Sequence, residues 1–430
     1  MRSVHATHNM FAVSANLRET AINTEQTLDT TMMFDIGDIA KVEARRQDNS
    51  NQAIGKEEPD LIYDNGALTS LAANASMAMP QHFAFMLGYG LGNVASAGLG
   101  DGYKHTITPI EGGLDEDREN PSFSLAQRYG KTIGKILFAS MFVDQVTATF
   151  RKDDWVKIAG QFKGTGKHTL DVESETVEAL DNATSLTLDA NGVAGATAAA
   201  RLDNIQEIKV ELTSGVWTQV EFSAVSAETP AVITISSAGG AGELTVNYKI
   251  LYRPTEAAWG TFPARVSEDP LKVAKISVIH GGKWNGTSFS GGRTVTSEIN
   301  SLEYTLNNNG ECEFVPGAGG DYAARYFRDG RVQKIKLDRE FRELVMRQHV
   351  EDNDTFGIYI KAEGALYDAT YKYQVEMIFP KCAVMTADPG VDSKRLKEDV
   401  DVQVLEDDTY GSVIVHVQNM VETYAGVTLE

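Results

Sequence analysis

The chain has 430 residues and carries 60 acidic against 39 basic side chains, a net charge of −21 with histidine neutral. At about 150 residues per domain the length predicts about three domains, and 42% hydrophobic with 23% charged residues is an ordinary globular composition. Cys312 and Cys382 are the only cysteines, which excludes a four-cysteine zinc site and a disulfide-rich scaffold. No apolar run approaches the roughly 20 residues that span a bilayer. The opening segment from Met1 to Asn9 lacks the apolar stretch of a signal peptide. A soluble protein folded in a cytoplasm is therefore expected. The carboxylate surplus weighs against tight nucleic-acid binding, because phosphates are held by basic groups that release their counterions.

In chain order, Pro80 can open a helix, with Phe83, Phe85, Met86 and Leu87 crowded on it. A strand over 102–108 follows, and Val156, Ile158 and Phe162 alternate as a half-buried strand does. From His168 to Arg253 the composition changes to Thr, Ser, Ala and Val with few aromatics. Short strands recur there at 186–188, 205–212, 220–225, 232–236 and 244–252. This predicts a small β-sandwich of immunoglobulin-like size without the Cys…Trp…Cys core, joined at Gly164-Thr-Gly166 and Pro254. Beyond it, Leu302, Tyr304 and Leu306 alternate with polar residues. Asp338 is placed to cap a helix over 339–351, with Phe341, Leu344, Val345 and Gln348 at helical spacing. Strands through Tyr373–Phe379 and Val413–Val417 complete a mainly β chain with one helix per half.

The two flanks resemble each other. Ile39–Glu43 matches Ile299–Glu303, Asn65-Gly66 matches Asp329-Gly330, and the helix at Phe83 matches that at Phe341. Gly102–Thr108 matches Gly357–Glu363, and Trp155–Phe162 matches Ser412–Asn419. Repeat, insert and repeat then occupy 1–164, 165–256 and 257–430.

Motifs of chemistry fail on inspection. Gly130-Lys131-Thr132 ends like a phosphate-binding loop but has Leu125 where the first glycine belongs. Gly90-x-Gly92-x-x-Ala95 follows a helical segment instead of a strand, and reads as a flexible loop. Asp352, Asp354, Gly357 and Glu363 are spaced as in a calcium loop, but Phe356 and Ile360 offer no side-chain oxygen, so a helix-to-strand turn is expected. His5 and His8 lack a third ligand, and Asp115–Glu119 reads as a solvated loop. Cys382 reads as packing, and no nucleophile–base set emerges. No cofactor, metal or enzymatic activity is expected.

The flanks carry a family resemblance in Thr24–Asp29, Gly55–Glu58, Pro80–Phe85, Pro121–Leu125 and Val146–Phe162, and again in Glu298–Leu302, Asn307–Asn309, Asp329–Arg331, Phe356–Glu363 and Val375–Lys381. With these segments the chain resembles the major tail tube proteins of long-tailed, non-contractile bacteriophages. The resemblance implies two tandem β-sandwich or partial-barrel modules, each with a flanking helix, and an outward immunoglobulin-like decoration domain at 165–256. It implies a structural virion protein, present in the tail and in the host cytoplasm during assembly. Its partners would be its own copies, as trimeric rings of pseudo-six-fold symmetry (or hexamers) stacked into a tube. Tape-measure, terminator and distal tail proteins would join them, and genomic DNA would pass an acidic lumen without tight binding; no membrane is involved. The loops 47–65 and 307–329 are the expected ring-stacking contacts, through Gln47, Lys56, Glu57, Glu58, Phe314, Tyr322, Tyr326, Phe327 and Arg328. The large aromatics among them serve equally well to cover the subunit's own core. Rival readings are a single-copy tail-terminator or baseplate ring protein, a carbohydrate- or cell-surface-binding protein using Trp217, Phe222, Tyr248 and Tyr252, and a two-carboxylate glycosidase.

Overall fold

A computed structural model of the chain describes residues 5–53, 55–110, 120–130, 134–242, 244–255, 262–266, 268–318 and 320–426. The acidic run 115–119, and Lys131 and Thr132, fall outside them. The chain is mainly β, with antiparallel sheets. In order come β1 (Met10–Val13), β2 (Thr30–Met32), β3 (Lys41–Asp48), β4 (Ile62–Met77), α1 (Pro80–Leu91), β5 (Gly92–Leu99), β6 (Gly102–Pro109), β7 (Phe123–Tyr129), β8 (Gly134–Arg151), β9 (Lys157–Gly164) and β10 (His168–Leu170). The central stretch holds β11 (Glu173–Leu180), β12 (Ser185–Thr187), α2 (Ala198–Leu202), β13 (Ile205–Thr213), β14 (Val216–Gln219), β15 (Phe222–Val225), β16 (Val232–Ile235) and β17 (Thr245–Tyr252). The last part holds β18 (Ile276–Trp284), β19 (Phe289–Ser290), β20 (Arg293–Thr294), β21 (Ile299–Asn307), β22 (Gly310–Glu313), β23 (Arg325–Arg328), β24 (Val332–Glu340), α3 (Val345–Asp352), β25 (Phe356–Leu366), β26 (Lys372–Asp392), β27 (Arg395–Leu405) and β28 (Ile414–Asn419).

Two compact units result. One comprises Met1–Gln127, Phe138–His168 and Phe262–Glu430, the other Arg128–Leu137 and Thr169–Thr261. In the second, the sheet β11-β17-β13-β14 and the sheet β12-β16-β15 share one core. Ile208, Val210, Tyr248 and Ile250 of the first sheet bury themselves with Leu186, Val225 and Ile233 of the second. The Tyr252 hydroxyl donates to Glu175 at 2.8 Å, and Arg253 pairs with Asp171 at 3.1 Å.

The larger unit contains a long antiparallel ladder in the order β3-β4-β9-β8-β21-β24-β27-β26. Its first four strands and its last four share one plan. A paired couple (β3–β4; β21–β24, with β22 and β23 between) precedes a helix (α1, α3), and after further strands (β5, β6 and β7; β25) a long strand folds back on itself (β8–β9, β26–β27), whose returning strand pairs with the first couple. Each returning hairpin carries a register shift at the same place, between Val143 and Gln145 in β8 and between Val384 and Thr386 in β26. The ladder corrects three of the matches drawn from alternation. Its rows set Lys41 on Thr305, so Ile39–Glu43 corresponds to Glu303–Asn307 and not to Ile299–Glu303. The counterpart of β9 is β27, whereas the segment Ser412–Asn419 becomes β28 and pairs with β26 and β6. The segment Gly102–Thr108 becomes β6 of the hairpin β5–β6, which has no equivalent between α3 and β25. Period-two patterns superimpose on any strand, so only the pairing decides equivalence.

The helices differ in kind. All 12 residues of α1 are buried, as a helix apolar on every side requires. Gly92 ends it at φ 94°, a left-handed cap, and β5 follows at once, so the glycine-rich stretch is a helix end and a strand, not a flexible loop. Phe85 and Tyr89 meet Phe123 edge-on at 4.9 and 5.1 Å. The expected helix over 339–351 begins later, at Val345. Asp338 and Arg339 lie in β24, because Ile335 and Leu337 alternate with Lys334 and Lys336, and Arg339 is held in the interior by Glu298 and Glu398. As expected, a turn joins α3 to β25, with Asn353 left-handed at φ 51°.

Candidate assembly interface

The alternation that builds the ladder also sorts its two faces. Leu71, Ile158, Phe162, Val146, Ala148, Leu302, Tyr304, Ile335, Val400 and Val402 are buried on one face. On the other, Lys157, Lys163, Lys334, Lys336 and Lys397 interleave with Glu303, Asp338, Asp399 and Asp401. Lys397 lies 3.6 Å from Asp338 and 3.0 Å from Asp399. The polar face is therefore of mixed sign.

The two four-strand blocks meet at an internal seam between β8 and β21. Ser301 faces Arg151, and the ladder runs without interruption to Asn307 opposite Gln145. Beyond it the Asn308 N–H donates to the Asp144 carbonyl at 2.8 Å, and the Gly310 N–H to the Asp144 carboxylate at 2.7 Å. Below the seam the Asn308 amide donates to the carbonyls of Gly90 and Val143, both at 2.9 Å. The Asn120 amide also reaches Gly90, at 3.1 Å, so the free carbonyls at the end of α1 are satisfied from both blocks. Burial pushes the Arg331 guanidinium down to about 10, with neighbouring Arg328 adding to the effect.

Among the described residues neither end of the ladder has a further strand paired along it. Among the described residues β3 pairs with β4 alone, and every residue of β3 is exposed. At the other end β26 pairs with β27 on one side from Lys381 to Asp392. On its opposite side β25 reaches only as far as Cys382, and α3 packs against β26 without extending the ladder. Past that point Met385 is 59% and Val391 70% exposed. Such edges offer unpaired backbone donors and acceptors.

The residues marked as stacking contacts scatter. Gln47, Lys56, Glu57 and Glu58 are exposed on or after β3. Tyr326 is fully buried, its ring stacked 4.0 Å from that of Phe142, and Arg328 is buried with a 2.8 Å bond to Asn120. Both leave the contact set; they pack the chain's own interior. Phe314, Tyr322 and Phe327 are half-buried. The Arg45 guanidinium sits 4.6 Å over the Phe314 ring, and the Ala67 N–H donates to Asp321. The loop 307–329 thus lies back on the first block, while the loop at 50–61 stays exposed. The open edge of β26 gave no sequence signal, since its exposure follows only from which strands are missing beside it.

Other candidate sites recede. Among the described residues no group of three His, Cys, Asp or Glu side chains could hold a metal. A cleft of about 740 Å³ is lined by Phe150, Trp155, Lys272, Ile276 and Ile299. Burial pushes the Cys312 thiol up to about 12, so it is no nucleophile. Of the aromatics suited to glycan stacking, Tyr248 and Tyr252 are in the core, which leaves Trp217 exposed and Phe222 packed on the core's rim. No described helix is long and apolar enough to cross a membrane. Comparison with protein-family models returns no match, and comparison with curated protein sequences returns none at a significant level.

Proposed function

We propose that this chain is a structural subunit that assembles with its own copies into rings, and that the rings stack into the tail tube of a long-tailed, non-contractile bacteriophage. The observation that carries the reading is the eight-strand ladder with an open strand at each end. An exposed edge of this kind invites pairing, and closure into a ring removes it. Two blocks of one plan in each chain suit a trimeric ring of pseudo-six-fold symmetry; a ring of six chains is the alternative. The polar face would line the passage. Its interleaved lysines and carboxylates give phosphates no continuous basic strip to lodge on, so DNA would slide through without tight binding. The unit containing 169–261 would be the immunoglobulin-like decoration domain. Tape-measure, terminator and distal tail proteins would meet the stack, first in the host cytoplasm and then in the virion.

Negative-stain electron microscopy of the concentrated protein tests the reading. Rings or tubes with six-fold-like axial projections are expected. A monodisperse monomer at every concentration would overturn it.

A further inference from the structure

The two open edges are not equivalent to each other, and the internal seam tells them apart. Matching rows of directly paired residues run Lys41–Ser70–Lys163–Phe142 in the first block and Thr305–Lys334–Gln403–Ala383 in the second. The shared bulge fixes this alignment independently, because it sets Asp144 on Met385. In these terms Lys41–Glu43 of β3 correspond to Thr305–Asn307 of β21, and Thr386–Asp388 of β26 correspond to the stretch Gln145–Thr147 of β8 that those residues occupy. Each edge therefore lacks the neighbour that the other supplies.

We infer that β3 of one copy pairs antiparallel with the free length of β26 in a second copy, in the register of the internal seam: Lys41 opposite Asp388, Val42 opposite Ala387 and Glu43 opposite Thr386. This rests on the ring reading above and adds which edges meet and in what alignment. Three observations support it. The chemistry of each row is preserved: Val42–Ala387 continues the apolar row Leu306–Val146, and the two flanking rows are polar in both places. The charges are complementary where the strands meet: Lys41 faces Asp388, and Glu43 faces the uncharged Thr386. Opposite charges facing each other across a ladder are favourable and like charges are not. Last, β21 is half buried where β3 is wholly exposed, as expected of one strand type with and without its neighbour. Pairing of unlike edges is heterologous and passes from copy to copy until a ring closes.

Cysteine pairs in the full-length chain test the register. Glu43→Cys with Thr386→Cys should, on mild oxidation of assembled material, give a covalent ladder on denaturing gels that stops at the ring size. Val42→Cys with Thr386→Cys, which points to opposite faces, should give none. A second test is charge exchange at exposed positions. Lys41→Glu and Asp388→Lys should each reduce assembled material at least tenfold, and the double exchange should restore it. Cross-linking of Glu43→Cys alone, or rings without the Glu43/Thr386 cross-link, would overturn this seam and leave the ring reading standing. Absence of rings from the unaltered chain would overturn both.

Discussion

Arg339 is among the largest side chains buried outright, and it bonds Glu398 at 2.8 Å and Glu298 at 3.3 Å. Removing one member of such a set leaves a buried charge without its counter-charge. Arg339→Ala should therefore cost about 3–5 kcal/mol in urea unfolding. Glu268 poses the opposite problem. It accepts the Gln81 N–H at 2.8 Å at the start of α1, and burial pushes its carboxyl up to about 7. In the unfolded chain it ionises near the ordinary glutamate value, so between the two values the folded state holds the extra proton. Stability from this group is present at low pH and is lost as pH rises to about 7, by roughly 3 kcal/mol. Burial holds His82 and His280 down at about 4, so there the unfolded state takes the extra proton and stability falls as pH drops below the ordinary histidine range. The two effects oppose each other over nearly the same pH range. Glu268→Gln removes one of them, so relative to the unaltered chain the variant should gain melting temperature on going from pH 5 to pH 8, as thermal melts at the two values would reveal.

At the scale of elements, Gly66 has a φ of 83°, and a Cβ there would lie 2.3 Å from the Asp321 carbonyl oxygen. Gly66→Ala should dislodge the loop 307–329 from β4 and cost several kcal/mol, on the order of 2–4. Faster proteolysis within 314–322 than in the unaltered chain would be the sign. The same scale separates what sequence reveals from what it hides. The helix α1 was legible because Pro80 opens it and crowded apolar residues mark burial on all sides. The start of α3 was not, because Asp338 looks like a cap until Arg339 is known to be held by two distant glutamates. The seam could not be read at all. Leu306 and Val146 each alternate correctly, but nothing local to either says that they face each other. For the candidate interface, exposure of the loop after β3 was foreseeable from its polar residues. Tyr326 misled because a large ring fills a core as readily as an interface, and only its stack on Phe142 decides between them.

For the molecule as a whole, the halves are interlocked as well as abutted. Strand β6 of the first half pairs with β28, so the hairpin β5–β6 finishes a sheet that also contains β26 and β25 of the second half. His105 bonds Asn419 at 3.0 Å across this junction, and α1 packs against strands of both halves. Each half expressed alone should fail to give a cooperative melt, whereas the two expressed together should co-purify. Amide hydrogen exchange supplies a further expectation. Residues 41–43 should exchange within seconds in the isolated chain and become protected by a factor of about 10² or more in rings, because an edge strand opens freely and an inner strand does not.

The pairing of β6 with β28 also bears on how the polypeptide is made. Synthesis at about 5–20 residues per second puts on the order of 15–60 s between the emergence of the one strand and the other from the ribosome. Throughout that interval the nascent hairpin presents a vacant margin, with His105 awaiting Asn419. The margin is sealed only once β28 has followed, so the fold of the first half waits on a strand made about 300 residues later.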